Sequence, residues 1–272
     1  MSVVRGQTVD ARTEREGRPE RPVPGTPCWV SLMADDLVAS QEFYGRLFGW
    51  EFRPGPEQLG PYARALLDGQ VVAGIGRMPV GQALPVAWTP YLAADDVDET
   101  AGTVRHCGGT VGVGPLDAEE AGRLALATDP SGAIFGIWQG REHRGAAVEG
   151  VPGSVLWNEL VTRETAGVLP FYRAVFGFEA EREEAADDAA TLLLGERRAA
   201  SVLGVGQALG ELGTAHWDTH FAVEDPDETV NRVIELGGRV QRPPRDGTHG
   251  RTATVADPSG AVFTVARPDT AA

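Results

Sequence analysis

The feature that most constrains the fold of this chain is an internal repeat with a spacing of about 128 residues. The sequence Asp-Pro-Ser-Gly-Ala at 129–133 returns at 257–261. The same spacing relates three other pairs: Trp29 and Trp157, Phe43-Tyr44 and Phe171-Tyr172, and Phe48-Gly49 and Phe176-Gly177. A repeat of this length indicates that one domain has been duplicated, so we expect two similar domains.

The repeat also fixes the expected boundaries of the domains. We predict a disordered tail at 1–25, a first domain at 26–140, a linker at 141–152 and a second domain at 153–268. The tail mixes Arg, Glu, Gly and Pro with few large apolar residues, so burial cannot offset its ordering entropy. The linker sequence REHRGAAVEGVP is polar and contains Gly and Pro, which is typical of connecting segments.

Each copy divides into two units that read as a strand, a helix and further strands. In the first unit a β-type run begins at Cys28, and Asp36 can cap a helix with apolar residues at helical spacing. In the second unit a strand begins at Trp88, and Asp96 is the predicted cap of the next helix. The Asp-Pro-Ser-Gly turn lies between two β-type runs and predicts a hairpin. The helix residues expected to be buried under the sheets are Phe43, Leu47, Phe171 and Val175.

These motifs resemble those of the vicinal oxygen chelate superfamily, which includes glyoxalases, bleomycin resistance proteins and extradiol dioxygenases. The sequence Asp-Leu-x-x-Ser-x-x-Phe-Tyr at 36–44, followed by Phe-Gly-Trp at 48–50, resembles the start of such a domain. Gly-Arg-x-Ala-x-x-x-Asp-Pro-x-Gly-Ala at 250–261 resembles its penultimate hairpin. The resemblance implies an α+β fold, in which paired βαβββ modules form curled mixed β-sheets around a pocket. Here the fold is duplicated in tandem, as in many actinobacterial members.

The resemblance also implies where a divalent metal would bind, because the enzymes of this family hold it with His, Gln or Glu at inward-facing strand positions. Strand alternation locates these positions in each copy. They are Trp29, Thr89, Trp157 and Asp218 on the opening strands, and Gly136 and Thr264 near the ends of the units. Among them only Asp218 offers a metal ligand, since tryptophan has no suitable lone pair and glycine has no side chain. We therefore expect no metal and no other cofactor.

In the first pocket, aromatic residues lie at or near the positions that lack metal ligands. Trp29, Tyr91 and Trp138 fall on inward-facing positions, where they could stack on a planar aromatic ligand at low cost in entropy. The remaining predicted ligand-binding residues belong to the second copy and are Trp157, Glu159 and His249. The alternative is that the tryptophans only fill a closed core.

The second pocket is richer in ionisable side chains. His216, Asp218 and His220 alternate along one strand and should project to one face, with Glu159 on the strand expected across the pocket. They are the candidate catalytic residues, as an Asp–His pair can act as a general base. The same residues could hold a cation, or could be ordinary polar residues of a wet cleft. The remaining histidines of these segments, His106 on the second predicted helix and His143 in the linker, are assigned no function.

Composition limits the partners and the location. The net charge is −15 and the isoelectric point is about 4.7, so nucleic acid would be repelled and is not expected as a partner. There is no run of about 18 apolar residues, so no membrane partner is expected either. The first 25 residues lack the apolar stretch of a secretory signal, and only two cysteines are present. We expect a cytoplasmic protein.

These patterns favour a metal-independent protein that binds a small molecule, an aromatic secondary metabolite or antibiotic. It would act in self-resistance by sequestration or as an accessory factor in biosynthesis, and the antibiotic theme comes from the family resemblance alone. The alternative is an enzyme that uses the second pocket, a glyoxalase-like lyase or isomerase or a hydroxylase-type enzyme. A third interpretation is a structural or signalling protein whose pockets are filled by its own side chains. The sequence leaves the ligand and the oligomeric state open.

Overall fold

The computed structural model describes residues 21–79, 85–183, 186–209, 213–247 and 250–268. Residues 1–20 of the predicted tail, and the predicted ligand-binding residue His249, lie outside the described residues. Within the described ranges, no helix is both long and apolar enough to cross a lipid bilayer.

Strands and helices alternate in the order that the repeat predicts. The helices are α1 (Leu37–Phe48), α2 (Val97–His106), α3 (Leu169–Phe176) and α4 (Pro226–Glu235). The strands of the first copy are β1 (Pro27–Ala34), β2 (Glu51–Pro54), β3 (Tyr62–Leu67), β4 (Gln70–Arg77), β5 (Trp88–Ala93), β6 (Thr110–Asp117), β7 (Gly122–Thr128) and β8 (Ile134–Gly140). Those of the second are β9 (Val155–Thr162), β10 (Glu179–Arg182), β11 (Ala189–Leu194), β12 (Arg197–Gly204), β13 (His216–Ala222), β14 (Arg239–Gly247), β15 (Gly250–Ala256) and β16 (Val262–Ala266).

Each copy forms one eight-stranded mixed sheet. The strand order in the first sheet is β2-β3-β4-β1-β5-β8-β7-β6, and the second sheet repeats it as β10-β11-β12-β9-β13-β16-β15-β14. At the centre β1 and β5 pair antiparallel, while β1 pairs parallel with β4 and β5 pairs parallel with β8. The predicted α+β fold, duplicated in tandem, is confirmed.

Local sequence signals set the ends of the helices. The carboxylates of Asp36, Asp96 and Asp225 each accept hydrogen bonds from two backbone N–H groups of the first turn of α1, α2 and α4. Gly49 and Gly177 follow α1 and α3 in the left-handed conformation, which glycine adopts without steric cost. The two predicted caps of the first copy are therefore found where the sequence places them.

Helices α1 to α4 lie between the two sheets, so each hydrophobic core contains residues of both copies. One core joins the second unit of the first copy to the first unit of the second copy, and Phe135 on β8 packs against Phe171 on α3. The other core joins the two remaining units, and Phe48 on α1 packs against Phe221 on β13. Of the four helix residues expected to be buried, Phe43 and Phe171 are buried, while Leu47 and Val175 are partly buried.

Two reciprocal hydrogen bonds join the copies at this interface. The Tyr44 hydroxyl donates to Asp257 Oδ2 at 3.1 Å, and the Tyr172 hydroxyl donates to Asp129 Oδ2 at 3.0 Å. All four side chains are buried. The two repeated motifs that reveal the duplication, Phe-Tyr and Asp-Pro-Ser-Gly, thus bind each other across the interface.

The segment between the copies packs along the first sheet. The backbone N–H of Ala146 donates to the Cys28 carbonyl oxygen at 2.8 Å, and that of Ala147 donates to the Val71 carbonyl oxygen at 2.7 Å. The predicted linker at 141–152 is therefore held against the first domain by backbone hydrogen bonds.

Candidate functional site

A cavity lies on the face of the first sheet that is turned away from the helices. Its volume is about 270 Å³, just below the range of roughly 300–1,000 Å³ found for small-molecule sites. Trp29 on β1, Tyr91 on β5 and Trp138 on β8 all line it. The structure thus brings together the three aromatic residues that strand alternation turns inward in the first copy.

Hydrogen bonds hold the two indole rings of the cavity wall in place. Trp29 Nε1 donates to the Tyr62 hydroxyl at 3.1 Å, and that hydroxyl lies 3.2 Å from Ser31 Oγ. Trp138 Nε1 donates to the backbone oxygen of His143 at 2.8 Å. Because the polar atoms of both rings are satisfied within the protein, their apolar faces are presented in a fixed geometry.

Two glycines make room for the other rings of the wall. A Cβ atom at Gly136 would overlap the ring of Tyr91, and one at Gly74 would overlap the hydroxyl of Tyr62. Gly136 is a position where the family resemblance implies a metal ligand. In this chain the ring of Tyr91 lies over that backbone instead.

His143 lines the same cavity, although it belongs to the predicted linker. Its ring meets that of Trp29 edge-on at 4.4 Å between centroids and that of Trp138 at 5.6 Å. Burial, together with the charge of Arg64, lowers the pKa of His143 to about 4, so the imidazole is neutral at neutral pH. Its Nε2 atom is buried and has no hydrogen-bond partner among the described residues. Sequence periodicity gave no sign of this residue, because a linker has no strand alternation.

The buried neutral state of His143 predicts a dependence of stability on pH. Because its pKa is lower in the folded state, its contribution is fully present above about pH 6.5 and is lost as the pH falls towards about 4. In the wild type, the free energy of unfolding should fall by up to about 3 kcal/mol between pH 6.5 and pH 4 because of His143. We expect this fall to be absent in His143→Gln. Urea denaturation of both proteins between these pH values measures it.

His106→Gln is the matched control, because His106 is exposed on α2. It should leave the pH profile of the wild type unchanged. Parallel profiles for the wild type and His143→Gln would contradict the assignment.

The second copy places its ionisable residues on neighbouring strands. Glu159 on β9 lies directly opposite Asp218 on β13. Asp218 Oδ2 accepts a hydrogen bond from Thr264 Oγ1 at 2.7 Å and lies 3.5 Å from His220 Nε2, an ion-pair distance. Glu159 Oε1 accepts from Ser201 Oγ at 3.1 Å. The structure therefore brings together Asp218, His220 and Glu159, as strand alternation predicts.

Burial and mutual attraction shift the pKa values of these three groups. Burial opposes ionisation of Asp218, but His220 and Thr264 outweigh it, so the pKa of Asp218 is lowered. Burial also opposes the charge of His220, but Asp218 and Glu159 outweigh it and raise the pKa of His220. The pKa of Glu159 is raised, mainly by burial. The arrangement is an Asp–His pair beside a buried carboxyl group whose pKa is raised, and perturbed groups of this kind can exchange protons with a ligand.

The other predicted residues of the second copy lie outside this cluster of hydrogen bonds or at its edge. His216 Nδ1 lies 2.7 Å from the backbone oxygen of Thr214, so its ring is turned towards its own strand end. Trp157 is partly buried and donates from Nε1 to Ser201 Oγ at 2.9 Å. Trp157 therefore joins the network of Glu159, whereas His216 does not.

The duplicated βαβββ topology and the cavity on the inner face of the sheet define a tandem protein of the vicinal oxygen chelate class. The model of a glyoxalase-like domain family matches residues 159–266. The chain is 38% identical over 251 residues to "Putative glyoxylase CFP32" of Mycobacterium tuberculosis, covering 90% of this chain and 95% of the relative. It is also 38% identical over 262 residues to "Anthracycline biosynthesis protein DnrV" of Streptomyces peucetius, covering 89% and 93%. The chain belongs to the glyoxalase-like proteins of this superfamily.

Similarity to solved structures supports the same fold. A Mn(II)-bound glyoxalase from Novosphingobium aromaticivorans matches with a TM-score of 0.62 over 90% of this chain and 83% of that chain. The two sequences are 19% identical, so this likeness concerns the fold.

The residues at the family's metal positions do not fit a metal in either copy. In the first copy Trp29 and Gly136 provide no ligand, and the ring of Tyr91 covers Gly136. In the second copy Thr264 uses its hydroxyl to bind Asp218. Across the described residues, no group of three or more His, Cys, Asp or Glu side chains is arranged to hold a metal ion.

Proposed function

We propose that this chain binds a planar aromatic secondary metabolite in the cavity of the first domain, without a metal, as an accessory factor in the biosynthesis of such a compound. The observation that carries the proposal is the wall formed by Trp29, Tyr91 and Trp138, whose rings border a cavity of suitable size. The relative named for anthracycline biosynthesis supports a place in secondary metabolism.

The physical argument is that a flat apolar molecule gains most from rigid aromatic surfaces. Each ring that stacks on or meets a ligand edge removes apolar area from water and loses little side-chain entropy. The hydrogen bonds of Trp29 and Trp138 fix these rings before a ligand arrives, so the cost of ordering them on binding is small.

Replacement of Trp29 by Ala tests this function. The change removes a large apolar surface from the wall, so we expect the affinity for a planar probe such as 1,8-dihydroxyanthraquinone to fall by about 1–3 kcal/mol, roughly 5- to 150-fold. Isothermal titration calorimetry measures the affinity directly.

The repeat supplies a matched control in Trp157→Ala. Trp157 occupies the equivalent position in the second copy and also donates from its indole to a hydroxyl, but it does not line this cavity. Its replacement should leave the affinity for the probe within about twofold. Equal losses in both variants, or no loss in Trp29→Ala, would speak against the proposal.

A second candidate function is acid–base catalysis in the second domain, as a lyase, an isomerase or a hydroxylase-type enzyme. It is favoured by the pairing of Asp218 with His220, 3.5 Å apart, beside Glu159, whose pKa is raised mainly by burial. If this site acts on the metabolite, Asp218→Asn should reduce its conversion by about 10²–10⁴-fold while Trp29→Ala has a weak effect. Under the binding proposal Asp218→Asn leaves probe affinity unchanged, and mass spectrometry of the incubated probe detects no product.

A further inference from the structure

The cavity of the first domain contains one arginine whose charge is not balanced by a neighbour. Arg64 on β3 is partly buried and lines the cavity. It forms no salt bridge or side-chain hydrogen bond with any described residue, whereas Arg123 and Arg251, which are also partly buried, each pair with aspartates. The described residues of the cavity wall include no Asp or Glu. In a chain with a net charge of −15, this is an unusual place for an unpaired cation.

A second arginine reinforces the positive charge at this position. Arg53 on β2 lies directly opposite Arg64 in the antiparallel pair, so both side chains leave the same face of the sheet. Like charges at directly opposite positions are destabilising. The described residues place no acidic side chain in an ion pair with either arginine, so the fold itself gains nothing from this pair.

The second copy shows that the fold does not need the two arginines. In the same register of the second sheet, Glu181 on β10 lies opposite Thr191 on β11, and Thr191 in turn lies opposite Ser201. The equivalent pair of the first sheet, Arg53 and Arg64, carries two positive charges, whereas the pair of the second sheet carries the single negative charge of Glu181. The two opposed arginines therefore occur in the first sheet only, whereas in the second sheet Arg198 of β12 donates to the Thr191 hydroxyl at 3.0 Å.

We propose that the ligand of this cavity carries an anionic group, a carboxylate or an ionised acidic phenol, which pairs with Arg64 while its ring system lies against Trp29 and Tyr91. The inference rests on the proposed function, because it specifies the ligand class of the same cavity. The ring of His143 also lines the cavity, where it meets Trp29 edge-on. An anion in this largely apolar site gains more from Arg64 than it would in water.

A pair of probes that differ mainly in charge tests the proposal. 2-Naphthoate and 2-naphthamide have the same rings and nearly the same size, and only the first is an anion at neutral pH. We expect the wild-type protein to bind the naphthoate about tenfold or more tightly than the naphthamide, measured by isothermal titration calorimetry at low ionic strength. Arg64→Gln should bring the two affinities to within about threefold by weakening the naphthoate alone.

Two control variants separate the local charge from the net charge and from misfolding. Arg46→Gln changes the net charge equally, but Arg46 is exposed on α1 and should keep the full preference for the naphthoate. Arg64→Lys retains a cation at the site and should keep most of the preference, which shows that position 64 tolerates substitution.

The results distinguish the inference that the ligand is an anion from the proposed function, which is that the cavity binds an aromatic molecule. Equal binding of both probes by the wild type, or an unchanged preference in Arg64→Gln, would overturn the anionic ligand and leave the aromatic cavity in place. If neither probe binds the wild type, both the proposed function and the inference are overturned. Loss of the preference in Arg46→Gln as well would also overturn the inference, because the effect would then follow the net charge.

Discussion

Replacement of Asp129 by Ala should lower the free energy of unfolding by about 3–5 kcal/mol. The Asp129 carboxylate is buried, and its Oδ1 atom accepts from the backbone N–H groups of Ser131 and Ala133 at 2.8 and 3.0 Å and from the Ser131 hydroxyl at 2.6 Å. Its Oδ2 atom accepts from the Tyr172 hydroxyl of the other copy. The alanine side chain leaves these donors without a partner in a buried place, and each unpaired donor costs about 1–3 kcal/mol, though not additively.

Tyr172→Phe separates the bond between the copies from the bonds within the turn. It removes only the hydroxyl that donates to Asp129 and accepts from Trp217 Nε1, so we expect a loss of about 1–2 kcal/mol. Asp257→Ala should lose less than Asp129→Ala, because the Asp257 carboxylate accepts from the Tyr44 hydroxyl and from the Ala261 N–H, whereas Asp129 also accepts from the Ser131 hydroxyl. Guanidinium denaturation followed by tryptophan fluorescence gives these values, and a loss below about 1 kcal/mol in Asp129→Ala would show that the turn rearranges without cost.

Replacement of Gly136 by Ala should both destabilise the protein and impair the cavity. The new Cβ atom would overlap the buried ring of Tyr91, which can only move into the cavity. We expect a loss of about 3 kcal/mol in the free energy of unfolding, at the upper end of the usual cost of overpacking. We also expect the affinity for an aromatic probe to fall by about tenfold or more, since the displaced ring occupies space that the ligand needs.

Gly112→Ala is the matched control for this change. Gly112 lies on β6 of the same sheet, and a Cβ atom there would meet no atom within 4 Å. Its effect on stability should remain within about 0.5 kcal/mol, with probe affinity unchanged. If Gly136→Ala behaves like Gly112→Ala in denaturation and calorimetry, Tyr91 is not confined as the structure places it.

The fold could be predicted from the sequence because its signals are local and occur twice. Asp36 and Asp96 cap their helices by accepting hydrogen bonds from backbone N–H groups two and three residues ahead. A cap of this kind involves only neighbouring residues, so it can be recognised in the sequence. The Asp-Pro-Ser-Gly turn likewise closes through the side chain of its own aspartate. Strand alternation from β1 placed Trp29 and Val30 on opposite faces, and the structure has Trp29 in the cavity wall and Val30 in a helix-facing core.

The polar part of the site could not be predicted, because it depends on contacts between distant segments. His143 reaches the cavity only because the segment after β8 packs back along the first sheet. The pairing of Arg64 with Arg53 depends on the register of β2 and β3, and the sequence does not determine that register. At the end of β13, alternation gave the correct face for Asp218 and His220, but His216 turned to a backbone oxygen that only the local loop provides.

The two hydrophobic cores that the copies share explain how the two pockets could acquire different residues. A protein with a single copy of this domain would have to form a twofold dimer to cover the same apolar surfaces, and every residue of one pocket would then appear in the other. In this chain the segment 141–152 connects the two halves, so their association no longer depends on concentration. Because the two copies are fused, their sequences no longer have to be identical. Arg64 could therefore arise in the first pocket while Thr191 occupies the equivalent position in the second. In the same way, the Glu159 cluster could arise in the second pocket alone.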